Sequence, residues 1–314
     1  RDEFIQESGQ KVDVLFVVDN SGSMSEEQRN LAANFAQFIS GATQFSNDYQ
    51  LGVITTDMQD DEDAGRLRST PRIITRGPNV EVNFSDSIEV GTGGSGTEQG
   101  LAAAQAALSD PLIANTGISC SASSDCIEPD RCINGSCGGE NSGFLRESAA
   151  LEIVFVSDED DQSQGTLDFY VDFFKSIKGF RNESRMHAHA IVGAENGQAR
   201  GCSSDDGDAS AGERYVDVAN RTNGGVYSIC NGDFGAPLQE IGNRAFGLPV
   251  QFFLTRPAVA SSITVTVNGV VTTSGWNYDE ESNSVIFDEA TVPQAGDQII
   301  IEYEARCFQR SSSP

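Results

Sequence analysis

The sequence predicts a doubly wound α/β fold, a mostly parallel sheet with helices on both faces, joined to a small antiparallel β-module and a disulfide-rich insert. Two apolar runs and the helices between them carry this expectation. Val12–Val18 and Leu151–Val156 are rich in Val, Leu, Ile and Phe, each broken by a single acid. Runs of this kind suit strands buried on both faces of a parallel sheet, because a half-solvated strand alternates apolar with polar. Helical periodicity follows each run, the order that parallel strands need for their crossovers.

The elements follow in turn. After the first strand, Ser25-Glu26-Glu27-Gln28 reads as a capping box, and Leu31, Phe35, Phe38 and Ile39 form the stripe of the helix that it opens. Tyr49–Thr55 is a second strand reaching Thr56-Asp57, followed by the acid-rich loop Asp57–Asp63 and an antiparallel edge strand at Arg72–Thr75. Helices are expected over Glu98–Leu108 and Thr166–Lys178, the latter burying Leu167, Tyr170, Val171, Phe174 and Ile177. Met186–Val192 reads as the fifth strand, Gly212–Asn223 as a helix, Val226–Cys230 as the sixth strand and Ala236–Phe246 as the last helix.

The period changes after residue 246. Ile263, Val265 and Val267 alternate, Asn268-Gly269 is a two-residue hairpin turn, and Trp276 with Tyr278, Val285–Phe287 and Ile299–Tyr303 continue the pattern. The expected organisation is therefore residues 12–246 as the α/β domain, with a Cys-rich insert over 112–143. Residues 247–307 form the β-module, 308–314 a tail, and 1–11 lend the module a strand around Phe4–Gln6.

Asp19-Asn20-Ser21-Gly22-Ser23 leaves the first strand at the carboxyl edge of the sheet, where open α/β folds bind ligands. One carboxylate and two hydroxyls at alternate positions are hard oxygen donors of the sort that Mg²⁺ takes. This motif, between a buried strand and a helix, resembles the start of the metal-ion-dependent adhesion site of the von Willebrand factor A domain, and the resemblance covers residues 12–246. That family completes its site with a distant hydroxyl and a distant Asp. Asp158 follows the strand Leu151–Val156 as the family's Asp does, although Glu159-Asp160-Asp161 replaces the usual Gly, making the rim more acidic, to admit a second ion or simply to repel anionic ligands. Gly93-Gly94-Ser95-Gly96-Thr97 before Leu101 matches the family's hydroxyl loop, with Ser95 at the ligand position and Thr97 in reserve. The resemblance implies Mg²⁺, with Mn²⁺ or Ca²⁺ as substitutes, held by Ser21, Ser23 and Ser95 directly and by Asp19 and Asp158 through water. A protein ligand's Asp or Glu would take the remaining place. The strings Val-Asp-Asn-Ser-Gly-Ser-Met and Ser-Asp-Glu-Asp-Asp also resemble bacterial cell-envelope proteins of this family, which implies adhesion outside the cytoplasm (periplasmic, outer-membrane-anchored or cell-surface).

Other chemistries fit less well. Gly91, Gly93 and Gly96 spell a dinucleotide fingerprint, but no buried strand precedes them and position 116 is Thr where a ribose-binding acid is needed. A P-loop would require Gly-Lys-Ser/Thr, and Gly96 is followed by Thr97-Glu98. His187 and His189 share one face of a strand with no third ligand evident, so they read as structural. No Ser-His-Asp order appears at the rim, so an enzyme, such as a metal-dependent hydrolase, is the weaker reading. A scaffold whose metal only stiffens the rim is a further alternative. The loops Asp57–Asp63 and Asp205–Asp208 lack the spacing of a calcium loop and read as solvated.

The 314 residues carry a net charge of −27 with only three Lys, which argues against nucleic-acid and anionic-lipid partners. No run of 18 apolar residues marks a membrane span, and residue 1 is expected to lie downstream of a removed leader. Cys120, Cys126, Cys132 and Cys137 sit among Ser, Asp, Asn and Gly, which cannot build a core, so the segment needs staples. Gaps of five residues fit zinc pairs poorly and disulfides better. Spacing leaves three pairings open; a resemblance to short Cys-rich knots of secreted proteins implies first-to-third and second-to-fourth. Cys202 and Cys230 are expected to pair at the carboxyl rim, leaving Cys307 without an evident partner.

Overall fold

A computed structural model describes every residue except 7–9, 46, 129, 180–181, 183–184, 205–206, 281, 289 and 307–314. Cys307 and the tail therefore lie outside the described residues. The chain divides into two compact units, Lys11–Phe246 and Arg1–Gln10 with Gly247–Pro314.

The larger unit is built on a six-stranded sheet of β1 (Lys11–Val18), β2 (Asp48–Thr55), β3 (Ile74–Thr75), β4 (Ala150–Val156), β5 (Met186–Val192) and β6 (Val226–Ser228), ordered β6-β5-β4-β1-β2-β3. All neighbours are parallel except β3, which runs antiparallel along β2. The order reverses between β1 and β4, the position at which doubly wound sheets open a crevice. Both faces of β1 are buried, as its lack of alternation requires. Val12, Val14, Phe16 and Val18 join one core and Leu15 and Val17 the other, since successive side chains point to opposite faces.

The first core is covered by α1 (Ser25–Ala33), α2 (Phe35–Phe45), α3 (Val80–Ile88) and α7 (Gly235–Phe246). Phe16 meets Phe38 and Phe84 edge-on, with ring centroids 5.4 and 4.9 Å away. The second is covered by α4 (Gly100–Ala107), α5 (Leu167–Ser176) and α6 (Glu213–Arg221). At α5 the hydroxyl of Thr166 accepts the Phe169 N–H as an N-cap. The expected capping box at α1 does not form. Met24 occupies the N-cap position without a side-chain bond, the Ser25 hydroxyl accepts from Arg29, and Gln28 is drawn away to the loop above it.

Between α4 and β4 lies a three-stranded antiparallel insert, Asn115–Ser119, Arg131–Ile133 and Ser136–Gly138. Its disulfides join Cys120 to Cys132 and Cys126 to Cys137, and a third joins Cys202 to Cys230. The sulfurs of Cys120, Cys126 and Cys137 are close enough to suggest a metal cluster, but all three are consumed by these bridges. The insert leads into the start of β4, where Ala150 pairs with Val12. With a rise of about 3.3 Å per residue, that point lies a strand's length from Asp19.

The two histidines are bound into the sheet by one buried acid. Glu152 on β4 lies 3.1 Å from Nδ1 of His187 and 2.8 Å from Nε2 of His189. The Gly225 N–H donates to His189 Nδ1, so the proton of that ring sits on Nε2 and points at Glu152. Despite burial, these partners bring Glu152 down to about 2, and Glu152 in turn raises His187. The acid's contribution is present above its ordinary 4.5 and is lost as pH falls through about 2. The histidine's is present below its ordinary 6.5 and is lost as pH rises through the raised value. The Glu152→Gln variant should therefore fall furthest behind the parent between about pH 4.5 and 6.5, measured by urea melts across pH. A deficit that stays flat from pH 4 to 9 would contradict this account.

The smaller unit holds two sheets. Asp2–Ile5 pairs antiparallel with Gln298–Glu302, which also pairs with Thr264–Val267, whose hairpin partner is Val270–Thr272. The turn at Asn268-Gly269 has both residues at positive φ, as a type I′ hairpin needs. Gln251–Phe253, Ser284–Phe287 and Trp276–Asp279 form the second sheet. Phe252, Leu254, Val265, Val285, Ile299 and Ile301 fill the space between.

Candidate metal centre

The carboxyl ends of β1, β2 and β4 lie side by side, because Val18 pairs with both Thr55 and Val156. The chain leaves all three strands together, placing Asp19, Thr56 and Ser157 in one row at the switch point. Asp19 is fully buried and fixed from two sides. Its Oδ1 accepts the Ser21 N–H at 2.7 Å and its Oδ2 accepts the Ser157 hydroxyl at 2.6 Å. Ser21 and Ser23 have their hydroxyl oxygens 3.3 Å apart, so the alternate spacing of the motif does bring its donors to one place.

Asp158 is buried beside them. Burial, followed by the charge of Asp19, raises its carboxyl, while a hydrogen bond from Ser23 draws it down. Its Oδ1 is sealed from solvent yet has no hydrogen-bond donor. Buried polar atoms are almost always paired, and an unpaired oxygen on a carboxyl that neighbours the Ser23 hydroxyl and the Asp19 carboxylate has the surroundings of a cation ligand.

The glycine-rich loop is held against the same place. The Gly94 N–H donates to the Asn20 carbonyl at 2.9 Å, and a Cβ on Gly94 would fall 2.3 Å from the Asn20 side chain. A side chain at this position would force Asn20 to shift. Ser95, next in the chain, is half-buried. Its N–H donates to Asp57 Oδ2 at 2.8 Å, and its hydroxyl accepts the Thr97 N–H at 3.1 Å. Thr97 thus braces Ser95 through its backbone.

Several residues that the sequence did not single out assemble the rim. Gln28 donates to the Asp19 carbonyl and the Gly91 carbonyl and accepts the Gly91 N–H, locking α1 to two loops. Ser157 orients Asp19. Asp57, expected in a solvated loop, is buried and caps that loop, with Oδ1 accepting the N–H groups of Gln59 and Asp60. Asp63 is also buried and pairs with Arg68. Asp160 and Asp161, which made the rim look ready for a second ion, are committed elsewhere. Asp160 accepts the Arg214 N–H, and Asp161 takes the Arg214 guanidinium at 2.9 Å together with the Leu101 N–H at the start of α4. Arg214 lies 53 residues from Asp161 in sequence, so only the strand order could have signalled this clamp.

A further acid, Glu98, lies just before α4. The Thr56 hydroxyl donates to its Oε2. Burial and then the charge of Asp19 push it up to about 8. The charges that act on Glu98, Asp158 and Glu159 are all carboxylates, so the rim concentrates negative charge in a place largely closed to water. Among the described residues, no three carboxylates bring oxygens within 4.8 Å of one another; the donor set here mixes two carboxylates with hydroxyls.

No protein-family model matches the chain, and no curated protein matches it. Solved structures with a similar course include proximal thread matrix protein 1 from the mussel byssus, at 9% identity and TM-score 0.46, covering 81% of this chain and 51% of that one. The same protein with zinc in its metal-ion-dependent adhesion motif gives 10% identity and TM-score 0.40 over 81% and 51%. An aerotolerance-related membrane protein from Bacteroides fragilis gives 14% identity and TM-score 0.36 over 76% and 98%. The chain thus spans about half the length of the mussel protein. With TM-scores of 0.36 to 0.46, none of these likenesses bears on function; the fold rests on the chain's own strand order.

Proposed function

We propose that the chain is a binding module of the von Willebrand factor A type, holding a divalent cation at the switch point and using it to grip a carboxylate of a protein partner. The observation that carries this reading is the buried, donor-less Oδ1 of Asp158, on a carboxyl that neighbours Ser23 and Asp19. Ser21, Ser23 and Ser95 would bind the ion directly, with Asp19 and Asp158 supplying charge, and Thr97 holding Ser95. Hard oxygen donors with few direct carboxylates favour Mg²⁺, with Mn²⁺ or Ca²⁺ as substitutes. A bound ion would supply the positive charge that draws an Asp or Glu side chain to an otherwise repellent acidic face.

Three disulfides support a setting outside the reducing cytoplasm, and we place the module at the bacterial cell envelope. Among the described residues, no helix is long and apolar enough to cross a membrane. Binding is favoured over catalysis because both histidines are bound to Glu152 within the sheet and neither stands at the rim.

An open coordination position is the testable core of this reading. Protein-bound Mn²⁺ should relax solvent protons strongly through exchanging water, and millimolar acetate or a Glu-bearing peptide should lower that relaxivity by displacing the water. Relaxivity insensitive to carboxylate would mean the position is closed and the adhesion reading wrong.

A further inference from the structure

We propose that Glu98 is a charge-supplying positioning residue of the metal centre, a third acid placed behind Asp19 that raises its affinity for a divalent cation. The inference rests on the metal-binding reading above and names a residue that the adhesion motif does not include.

The geometry begins with burial. Glu98 is 1% exposed, and a carboxylate so placed is normally saturated with donors or paired with a cationic side chain. Glu98 has half of that. Its Oε2 accepts from Thr56 at the end of β2, while Oε1 is sealed from solvent with no donor. The charge that acts on it most strongly is that of the Asp19 carboxyl. Asp158 presents the same anomaly on its own carboxyl, with one donor-less buried oxygen and contact with Asp19. Asp19 therefore acts on two buried acids, each with one oxygen short of a partner. A cation at Asp19 and Asp158 answers both.

Glu98 is also tied to the loops after β2 and β4. Its carboxyl holds Thr56, its carbonyl accepts the Gln162 N–H at 2.6 Å from the loop after β4, and Ser95 lies three residues before it. A carboxyl supported in this way is already placed beside Asp19 and needs no side-chain movement when the ion arrives. Outer partners of metal ligands are worth about 10- to 100-fold in affinity.

The alternative is a purely structural acid that accepts from Thr56 and stands near the N-terminus of α4. Glu98→Gln separates the two, because the amide oxygen can still accept the Thr56 hydroxyl while the charge is gone. We expect Mn²⁺ affinity by titration calorimetry to fall about 10- to 100-fold, with the melting temperature of the metal-free protein little changed. Affinity within twofold of the parent, in a parent that binds Mn²⁺, would overturn the inference while leaving the metal centre intact. A parent that takes up no Mn²⁺ at millimolar concentration would overturn both, through the metal centre itself. Should Glu98→Gln not fold, Glu98→Asp withdraws the carboxylate by one methylene with its charge kept. An affinity loss of at least threefold supports the placement, and an unchanged affinity refutes it.

Discussion

Asp19→Ala abolishes divalent-cation binding while the sheet remains folded: that is the expected result if the switch-point carboxylate is the anchor of the centre. The side chain organises two other donors, through the Ser21 N–H and the Ser157 hydroxyl, so its loss removes charge and disorders the hydroxyl set together. We expect Mn²⁺ or Mg²⁺ affinity to fall by at least about 100-fold, the upper end for a partner that orients ligands. Stability in the absence of metal should change little. Two buried donors lose an acceptor, at about 1–3 kcal/mol each, but the repulsion that Asp19 exerts on Glu98 and Asp158 disappears with it. Asp19→Asn is the informative companion, since it keeps the shape and removes the charge, and it should bind metal as poorly as the alanine variant. Calorimetric titration reads the affinity, and far-ultraviolet dichroism reads the fold. Equal affinity in parent and Asp19→Ala would remove the centre from this place on the molecule.

The scaffold was legible because it is written in unbroken apolar runs. Val12–Val18 and Leu151–Val156 announce two-sided burial, and their carboxyl ends then locate Asp19 and Asp158 without further information. What surrounds them was not legible, for particular reasons. Val80-Glu81-Val82-Asn83-Phe84 alternates with the period of a strand, yet it is the first part of α3, chosen because Phe84 and Ile88, four apart, both enter the core, Phe84 against Phe16 and Phe35, while Val82 stays 60% exposed. Gln28 fits a capping box in sequence, but the Asp19 and Gly91 carbonyls compete for it and win. Glu98 reads as an ordinary acid at a helix start; only the strand order places it against Asp19. In each case a contact between segments distant in sequence overrode the local signal.

The largest effect on stability is expected at the opposite end of the sheet, where Arg146→Ala should cost about 3–5 kcal/mol, the usual penalty for stripping one partner from a buried ion pair. Asp13 is the single acid within the β1 run and is completely buried. Arg146 meets it twice, through Nε to Oδ1 and the backbone N–H to Oδ2, both at 2.7 Å. The same guanidinium reaches the Val12 carbonyl at 3.1 Å and the Asp48 carboxylate at 2.9 Å, tying β1 and β2 to the segment that returns from the Cys-rich insert. Burial already raises Asp13 above its ordinary value in spite of this arginine. Removing Arg146 raises it further, so the ionised form is what destabilises the variant, and its deficit should shrink as pH falls towards the unfolded value of 3.8. Arg146→Lys should recover only part of the loss, because an ammonium cannot reproduce the fork. Urea midpoints at neutral and acidic pH measure both effects, and Mn²⁺ affinity should stay at the parental value, the pair lying a full strand away from Asp19. A variant as stable as the parent at neutral pH would show that Asp13 finds its compensation elsewhere, with Lys178, the other cation that acts on it, as the candidate.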